Sequence, residues 1–439
     1  MIKEKTQKGN TNIKFTILAI VLIAIFCISI TPVTFQNDTF YTIKIGEHIA
    51  QTGIDMQDPF SWHENLSYTY PHWLYDLLTY FIYSAFGFTG LYITTCVLSA
   101  ILGISIFLTN KKLVKNELIS FLITIGTMYV IKDYIAARAQ LVTFILFILT
   151  IYFIERFLET KKKRYGIGLV AIPIAIANLH VAVFPFYFIL YLPYIAEYVV
   201  ASVAEIIIYK KSTVRVLKRK IKKLSKVNGK EEEVHELKEK LARLEEKIDK
   251  IKIKRSKELQ NPYKIRMTKN KNVKWLILIM IICILTGFLT PLGTTPYTYL
   301  LKTMQGNTTE NINEHLPLTL INSTEVLITL IIFLAILIFT KSKIRLSDLF
   351  MLGGLCYLMF MSRRQISMFV IVCSLILNRL IIEMKTIYLG KETIEKITKK
   401  FASTIGMLVI SIVVLVLSYY MAKDKIDAKI NASINIIGT

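Results

Sequence analysis

A chain of 439 residues that is 54% hydrophobic, with a mean hydropathy of +0.50, exceeds ordinary globular usage, and its apolar residues come in runs long enough to cross hydrocarbon. These values exclude an ordinary soluble domain and predict an all-α polytopic membrane protein. The formal charge of +23 points at first to nucleic acid, but the basic excess flanks the apolar runs, where anionic lipid and retention of Lys and Arg on the cytoplasmic side account for it. Membrane lipid, not nucleic acid, is the partner it implies.

From the N-terminus, Phe15–Thr31 follows Lys3, Lys5, Lys8 and Lys14 and reads as a retained first helix with its N-terminus cytoplasmic. Residues 32–90 then form a large first external loop. Within it Ile43, Ile45 and Ile49, preceded by Phe40 and Tyr41, predict a short amphipathic helix lying in the interface. Gly53 and Asp58-Pro59 mark turns, and Tyr68, Tyr70, Trp73, Tyr75 and Tyr80 offer aromatic surface to the bilayer or to a sugar ring. Trp73–Phe86 is apolar but short and carries Asp76. It is placed in the outer interface, because a full crossing would put the run KKLVKNE (Lys111–Glu117) outside.

The remaining apolar runs alternate in direction: Leu91–Leu108, Leu118–Ile131, Leu141–Phe157, Gly166–Asn178 and Phe184–Ile208, then Trp275–Leu289, Val326–Phe339, Leu349–Phe360, Ile366–Leu380 and Phe401–Tyr420. With the first helix they make about eleven spans, several below the roughly 20-residue norm. Three regions result: an N-terminal transmembrane region over 1–208, a basic cytoplasmic segment over 209–273, and a C-terminal transmembrane region over 274–439. In the middle segment Val214, Leu217, Ile221 and Leu224 recur at helical spacing, as do Val234, Leu237, Leu241, Leu244, Ile248 and Ile251 after Asn228-Gly229. That pattern predicts a coiled-coil-like helical hairpin whose apolar stripe is its own seam. A cytoplasmic protein partner at 209–273 and a membrane-lying role are the alternatives. Cys27, Cys96, Cys283, Cys356 and Cys373 all sit in apolar runs without a CxxC pair, which argues against a disulfide framework.

This threading puts Asp38, Asp58, His72, Arg138, His180, Glu314, Arg363 and Arg364 on the external side, opposite the Lys-rich segments. Arg363 and Arg364, in MSRRQ, break the charge rule there. Planar guanidinium groups suit bidentate contact with phosphoryl oxygens, so an anionic phosphate is the expected ligand, with lipid head groups as the plainer reading. His72 either orients a carboxylate or donates to a phosphate, or caps the helix that begins at Trp73. Asp38, Asp58 and Glu314 leave a divalent cation open, although no spacing in the chain matches a dedicated metal motif. No Walker loop or dinucleotide fingerprint is present.

The order of Asn37-Asp38, KIGEHIAQTGI, DPFSW and HWLYDLL, followed by RAQLVTFILFILTIYFIERF (Arg138–Phe157), IANLHVAVFPF (Ile176–Phe186), TPLGTTPYTYL (Thr290–Leu300), INEHLPLT (Ile312–Thr319) and SRRQISMFVIV (Ser362–Val372), resembles bacterial membrane glycosyltransferases of the GT-C superfamily, with a dolichyl-phosphate-mannose mannosyltransferase-like catalytic half. The resemblance spans about residues 13–380. It implies a polyprenyl-phosphate-linked sugar donor, inverting transfer on the extracytoplasmic face, and Asp38 as the base for the acceptor hydroxyl. Arg363 and Arg364 would stabilise the departing phosphate, with Arg138 as a further candidate. Asp58, His72, His180 and Glu314 would bind acceptor or organise the loops. His315 stands where the family usually has Trp. A transporter or flippase and a non-catalytic membrane assembly protein are the rival classes; the first usually shows broken helices and two-half symmetry.

Overall fold

The computed structural model describes residues 2–63, 66–209, 211–225, 230–258, 264–305, 313–320 and 323–437. Its described residues form sixteen α-helices, short 3-10 turns and one pair of two-residue strands. A bilayer interior offers no hydrogen-bond partners, so a chain crossing it must satisfy its backbone internally, and helices do so within one segment. In chain order the helices are α1 (Ile2–Ile30), α2 (Asn37–Thr52), α3 (Trp73–Val114), α4 (Glu117–Val130), α5 (Ala139–Thr160), α6 (Lys163–Leu179), α7 (Phe184–Ile189), α8 (Leu192–Tyr209), α9 (Lys211–Leu224), α10 (Glu231–Glu258), α11 (Val273–Leu285), α12 (Thr295–Gln305), α13 (Thr324–Phe339), α14 (Leu346–Met361), α15 (Ile366–Phe401) and α16 (Thr404–Ile437). The strands Ile265–Arg266 and Ile344–Arg345 pair in parallel between α10 and α11 on one side and α13 and α14 on the other.

Six described helical segments are long and apolar enough to cross a membrane, and four shorter apolar helices accompany them. Helix α1 shows how the faces divide. Phe15, Ala19, Leu22, Ile23, Phe26, Cys27 and Ile30 are buried at spacings of three and four, while Ile17, Val21 and Ile28 stay exposed, as a lipid-facing surface requires. Helix α5 is buried along most of its length, from Leu141 through Phe144, Phe147, Ile148 and Ile151 to Ile154, and packs against α3, α6, α11 and α15.

The sequence places Trp73–Phe86 and Leu91–Leu108 as separate helices, a division the structure keeps, whereas the run Phe184–Ile208 departs from expectation. At roughly 1.5 Å per residue, α3 is much too long for one crossing of roughly 30 Å of hydrocarbon. It is bent at Gly87, whose φ of +61° is open to glycine, so Trp73–Phe86 is a separate arm that packs on α2. The run Phe184–Ile208, expected as one helix, is broken at Leu190 and Tyr191 into α7 and α8. Pro193 explains the break: it has no N–H to donate backward, and its ring disfavours a continuous helix through the preceding turn.

Helices α9 and α10 pack together with Leu217 and Val234 buried between them and with the ion pairs Lys220–Glu233 and Lys218–Glu245 across the seam. The heptad-like spacing predicts two such helices; the Asn228-Gly229 turn expected between them lies outside the described residues.

Candidate functional site

The site starts from α2. Gly46 lies so close to the first turn of α3 that a Cβ there would meet the Asp76 carbonyl oxygen at 2.1 Å, a backbone atom that cannot swing aside. Only glycine permits this approach, and it lays α2 across α3 with Ile45 and Ile49 buried beneath it against Tyr70 and Val181. Asp38 therefore sits in the first turn of α2, where the helix dipole favours a carboxylate. The adjoining Thr39 hydroxyl donates to the carbonyl of Ala137 at 3.4 Å, bringing the chain before α5 alongside.

Arg138 is the residue just before α5, in an extended conformation that turns its side chain away from the helix. Its Nη2 donates to Asp38 Oδ2, and its Nη1 donates to Glu314 Oε1 at 3.2 Å. One guanidinium thus joins three segments of the chain. The Glu314 segment is fixed in turn to the α14–α15 corner. Ser362 Oγ donates to the Glu314 carbonyl at 3.1 Å, Arg363 N–H donates to the Leu316 carbonyl at 3.1 Å, and the Tyr134 hydroxyl donates to the Arg363 carbonyl at 3.0 Å. A cavity of about 240 Å³ lies among these residues, lined by Arg138, Glu314, Arg363 and Arg364 together with Gln36, Asp133, Tyr134, Ala136 and Gln140.

The charges are unevenly spent. Arg138 is shared by two carboxylates, whereas the half-buried side chains of Arg363 and Arg364, and the exposed Asp133 of the same lining, form no ion pair among the described residues. Two unmatched guanidinium groups facing one cavity make a place for an anion with several acceptor oxygens. Asp38 and Glu314 are 56% and 49% exposed, so their pairs with Arg138 contribute little stability, on the order of 1 kcal/mol or less. Both carboxylates can exchange Arg138 for another partner at small cost.

Beside the cavity, His72 Nδ1 lies 2.5 Å from Oδ1 of the fully buried Asp76, and the His72 ring stands edge-on to that of His180 at 6.2 Å. His72 occupies the residue before α3 but makes no side-chain cap bond, which removes the capping alternative; it is held by a carboxylate. His180 is buried against the Thr143 hydroxyl, 2.7 Å from its Nδ1. Burial, helped by His72, Arg364 and Arg138 nearby, pushes its pKa well below the usual imidazole value and keeps it neutral. Burial beside Arg364 lowers the His315 pKa as well.

Asp58 does not line the cavity. Its Oδ1 accepts from the Phe60 and Ser61 N–H groups, an Asx turn that organises the loop and leaves Trp62 91% exposed at its tip. Asp55, which the sequence reading passed over, holds that loop from the other side: the Tyr70 hydroxyl donates to it at 2.5 Å, lowering its pKa to about 2, and His48 lies at 2.9 Å. Gln36, Asp133, Tyr134 and Gln140 also line the cavity and carry no signal in the sequence beyond lying within a few residues of Asp38 or Arg138. Among the described residues no three His, Cys, Asp or Glu side chains group closely enough to hold a metal ion, and the Arg138 guanidinium stands where an ion bridging Asp38 and Glu314 would sit.

Comparison of the chain with protein-family models gives no match, and none of the curated proteins matches it.

Proposed function

We propose that this protein is a membrane glycosyltransferase of GT-C architecture that crosses the bilayer about eleven times, with a cytoplasmic N-terminus and its site on the opposite face, and that it moves a sugar from a polyprenyl-phosphate donor to an acceptor hydroxyl. The observation that carries this reading is the gathering of Arg138, Glu314, Arg363 and Arg364 around one cavity, with Asp38 outside its lining but joined to it through Arg138, so that four separate stretches of chain meet there. A carboxylate next to unpaired guanidinium groups is the minimum equipment for inverting transfer from a phosphate leaving group.

In this mechanism Arg363 and Arg364 receive the donor phosphate. Asp38 accepts the proton of the acceptor hydroxyl as its oxygen attacks the anomeric carbon from the face opposite the phosphate. The bond between that carbon and the phosphate oxygen breaks, its electron pair leaves with the phosphate, and the guanidinium groups stabilise the charge. Arg138, shared between Asp38 and Glu314, is the link between the two events, because a phosphate that draws it away leaves the Asp38 carboxylate free to take a proton.

The test is transfer of radiolabelled sugar from a panel of polyprenyl-phosphate sugars by the purified protein in lipid, with Asp38→Asn alongside. The expected outcome is transfer that falls at least 100-fold, about the general-base contribution, in a variant that purifies as folded protein. Transfer by Asp38→Asn at the wild-type rate refutes Asp38 as base, and no transfer from any donor by folded wild-type protein refutes the reading.

A further inference from the structure

The larger described cavity, about 310 Å³, is at the other end of the molecule, among the C-terminal ends of α3 and α5, α8, the start of α14 and the middle of α15. From Arg138 to Glu155 along α5, and from Arg363 to Arg379 along α15, the helical rise separates the two cavities by roughly 25 Å, close to the thickness of a hydrocarbon layer. This second cavity is therefore no part of the site above.

Its floor is a box of two arginines and two carboxylates. Arg345 donates from Nε and Nη2 to Asp348 and from Nη1 and Nη2 to Glu155, while Arg379 donates from Nη1 to Asp348 and reaches Glu155 with Nη2. Most carboxylate oxygens on this side already have partners, although Glu197 pairs with no cation among the described residues. Glu155 also accepts from the Tyr194 hydroxyl, Glu197 Oε1 accepts both the N–H and the hydroxyl of Thr268, and Glu159 is held by Arg156. The donors are not exhausted. A guanidinium carries five N–H groups; the Nε–H and the second hydrogens of Nη1 and Nη2 on Arg379 have no acceptor among the described residues. Lys112 and Lys115, exposed on the rim, form no ion pair there either.

We propose that this cavity binds a phosphoryl group, with Lys112 and Lys115 reaching over its rim and the free edge of Arg379 beneath it. The unused N–H donors of Arg379 and two exposed ammonium groups suit an anion with several acceptor oxygens, and a tetrahedral phosphate can take hydrogen bonds from a guanidinium edge and two ammonium groups at once. The chemistry is shared by a phospholipid head group from the adjoining leaflet and by a soluble phosphate.

The experiment uses full-length protein in detergent and follows retention of phosphatidylglycerol, phosphatidylcholine or inorganic phosphate by native mass spectrometry, with wild type beside Lys112→Ala/Lys115→Ala. Both lysines are exposed, so the variant keeps the fold, which its size-exclusion profile verifies. The expected result is a phosphatidylglycerol or phosphate adduct on wild type whose affinity drops about tenfold or more in the double variant, the loss expected for charge-assisted contacts. An adduct with phosphatidylglycerol alone assigns a lipid head group, and one with inorganic phosphate assigns a soluble ligand. No adduct with either, equal retention of phosphatidylcholine, or retention unchanged in the variant overturns the proposal.

Discussion

Replacing Glu155 by Gln tests the charged box that joins α5, α14 and α15. The Glu155 carboxylate receives Arg345 Nη2 at 2.6 Å and Nη1 at 3.2 Å, the Tyr194 hydroxyl at 2.9 Å, and has Arg379 Nη2 at 3.0 Å. It is 10% exposed and Asp348 is 8% exposed, so water compensates neither. Two charges of each sign balance in the wild type. In Glu155→Gln two guanidinium groups share one carboxylate, and the new amide directs N–H groups at N–H groups. The gross Coulomb attraction of one such pair is about 6 kcal/mol at an effective dielectric of 20, but what a broken buried pair costs after relaxation is roughly 3–5 kcal/mol. By the scaling for large domains this lowers the melting midpoint on the order of 5–10 °C. The assay is the fraction of monodisperse protein surviving a heating series in detergent, compared at one heating rate because unfolding there is irreversible. Adding Arg379→Gln removes the surplus cation and is expected to restore part of the loss, a non-additivity of about 1–3 kcal/mol. A Glu155→Gln midpoint equal to wild type, or a double variant that equals the sum of the singles, refutes the balanced box.

Two further outcomes follow from the geometry. Gly46→Ala places a methyl group against the Asp76 carbonyl and lifts α2 from α3; overpacking of this kind costs roughly 1–3 kcal/mol. It is expected to impair the proposed transfer as well, because Asp38 moves with α2, and a variant with unchanged melting shows that the approach is loose. His180 produces a pH dependence: its folded pKa lies below the ordinary 6.5, so as pH falls below 6.5 the unfolded chain takes up a proton that the folded chain refuses, and stability declines. A melting profile from about pH 7 down to about pH 5 should flatten in His180→Gln, and identical slopes in the two proteins count against a neutral buried His180.

The polar residues of the site were legible because a bilayer confines uncommitted charge to the ends of helices, so Asp38, Arg138, Glu314, Arg363 and Arg364 stood out between apolar runs. Their partnerships were not legible. Arg138 meets Asp38 across 100 positions of chain and Glu314 across 176, and no local pattern encodes such pairings. Local ambiguity failed for a different reason. His72 has the position of a cap and the chemistry of a carboxylate partner, and only the rotamer distinguishes them; the structure turns its ring to Asp76. Asp58-Pro59 marked a turn correctly, and the carboxylate is consumed by that turn instead of reaching the cavity. The break before Pro193 was readable from the proline itself, yet the apolar run on both sides concealed it.

The space between the two cavities bears on the choice between an enzyme and a carrier. A secondary transporter binds its cargo near the midplane, where broken helices expose backbone to a water-lined cavity. Here the stretch of α5 that connects the cavities buries Phe144, Phe147, Ile148 and Ile151 at 1% exposure or less, and α15 buries Phe369, Ile371, Cys373 and Ile376 at 2% or less. One polar cluster inside the bundle is internally bonded: Asn378 Nδ2 donates to Asn110 Oδ1 and Ser120 Oγ at 3.1 and 3.0 Å, close to the Lys-rich end. The break between α7 and α8 does not open a path, because Leu190 and Tyr191 are fully buried at it. A cargo moving from one cavity to the other would have to displace close-packed apolar side chains from both helices, whereas the transferase proposed above needs only the Arg138 cavity and access from the membrane. The packing of α5 and α15 is therefore an argument for the proposed transferase over passage between the two cavities.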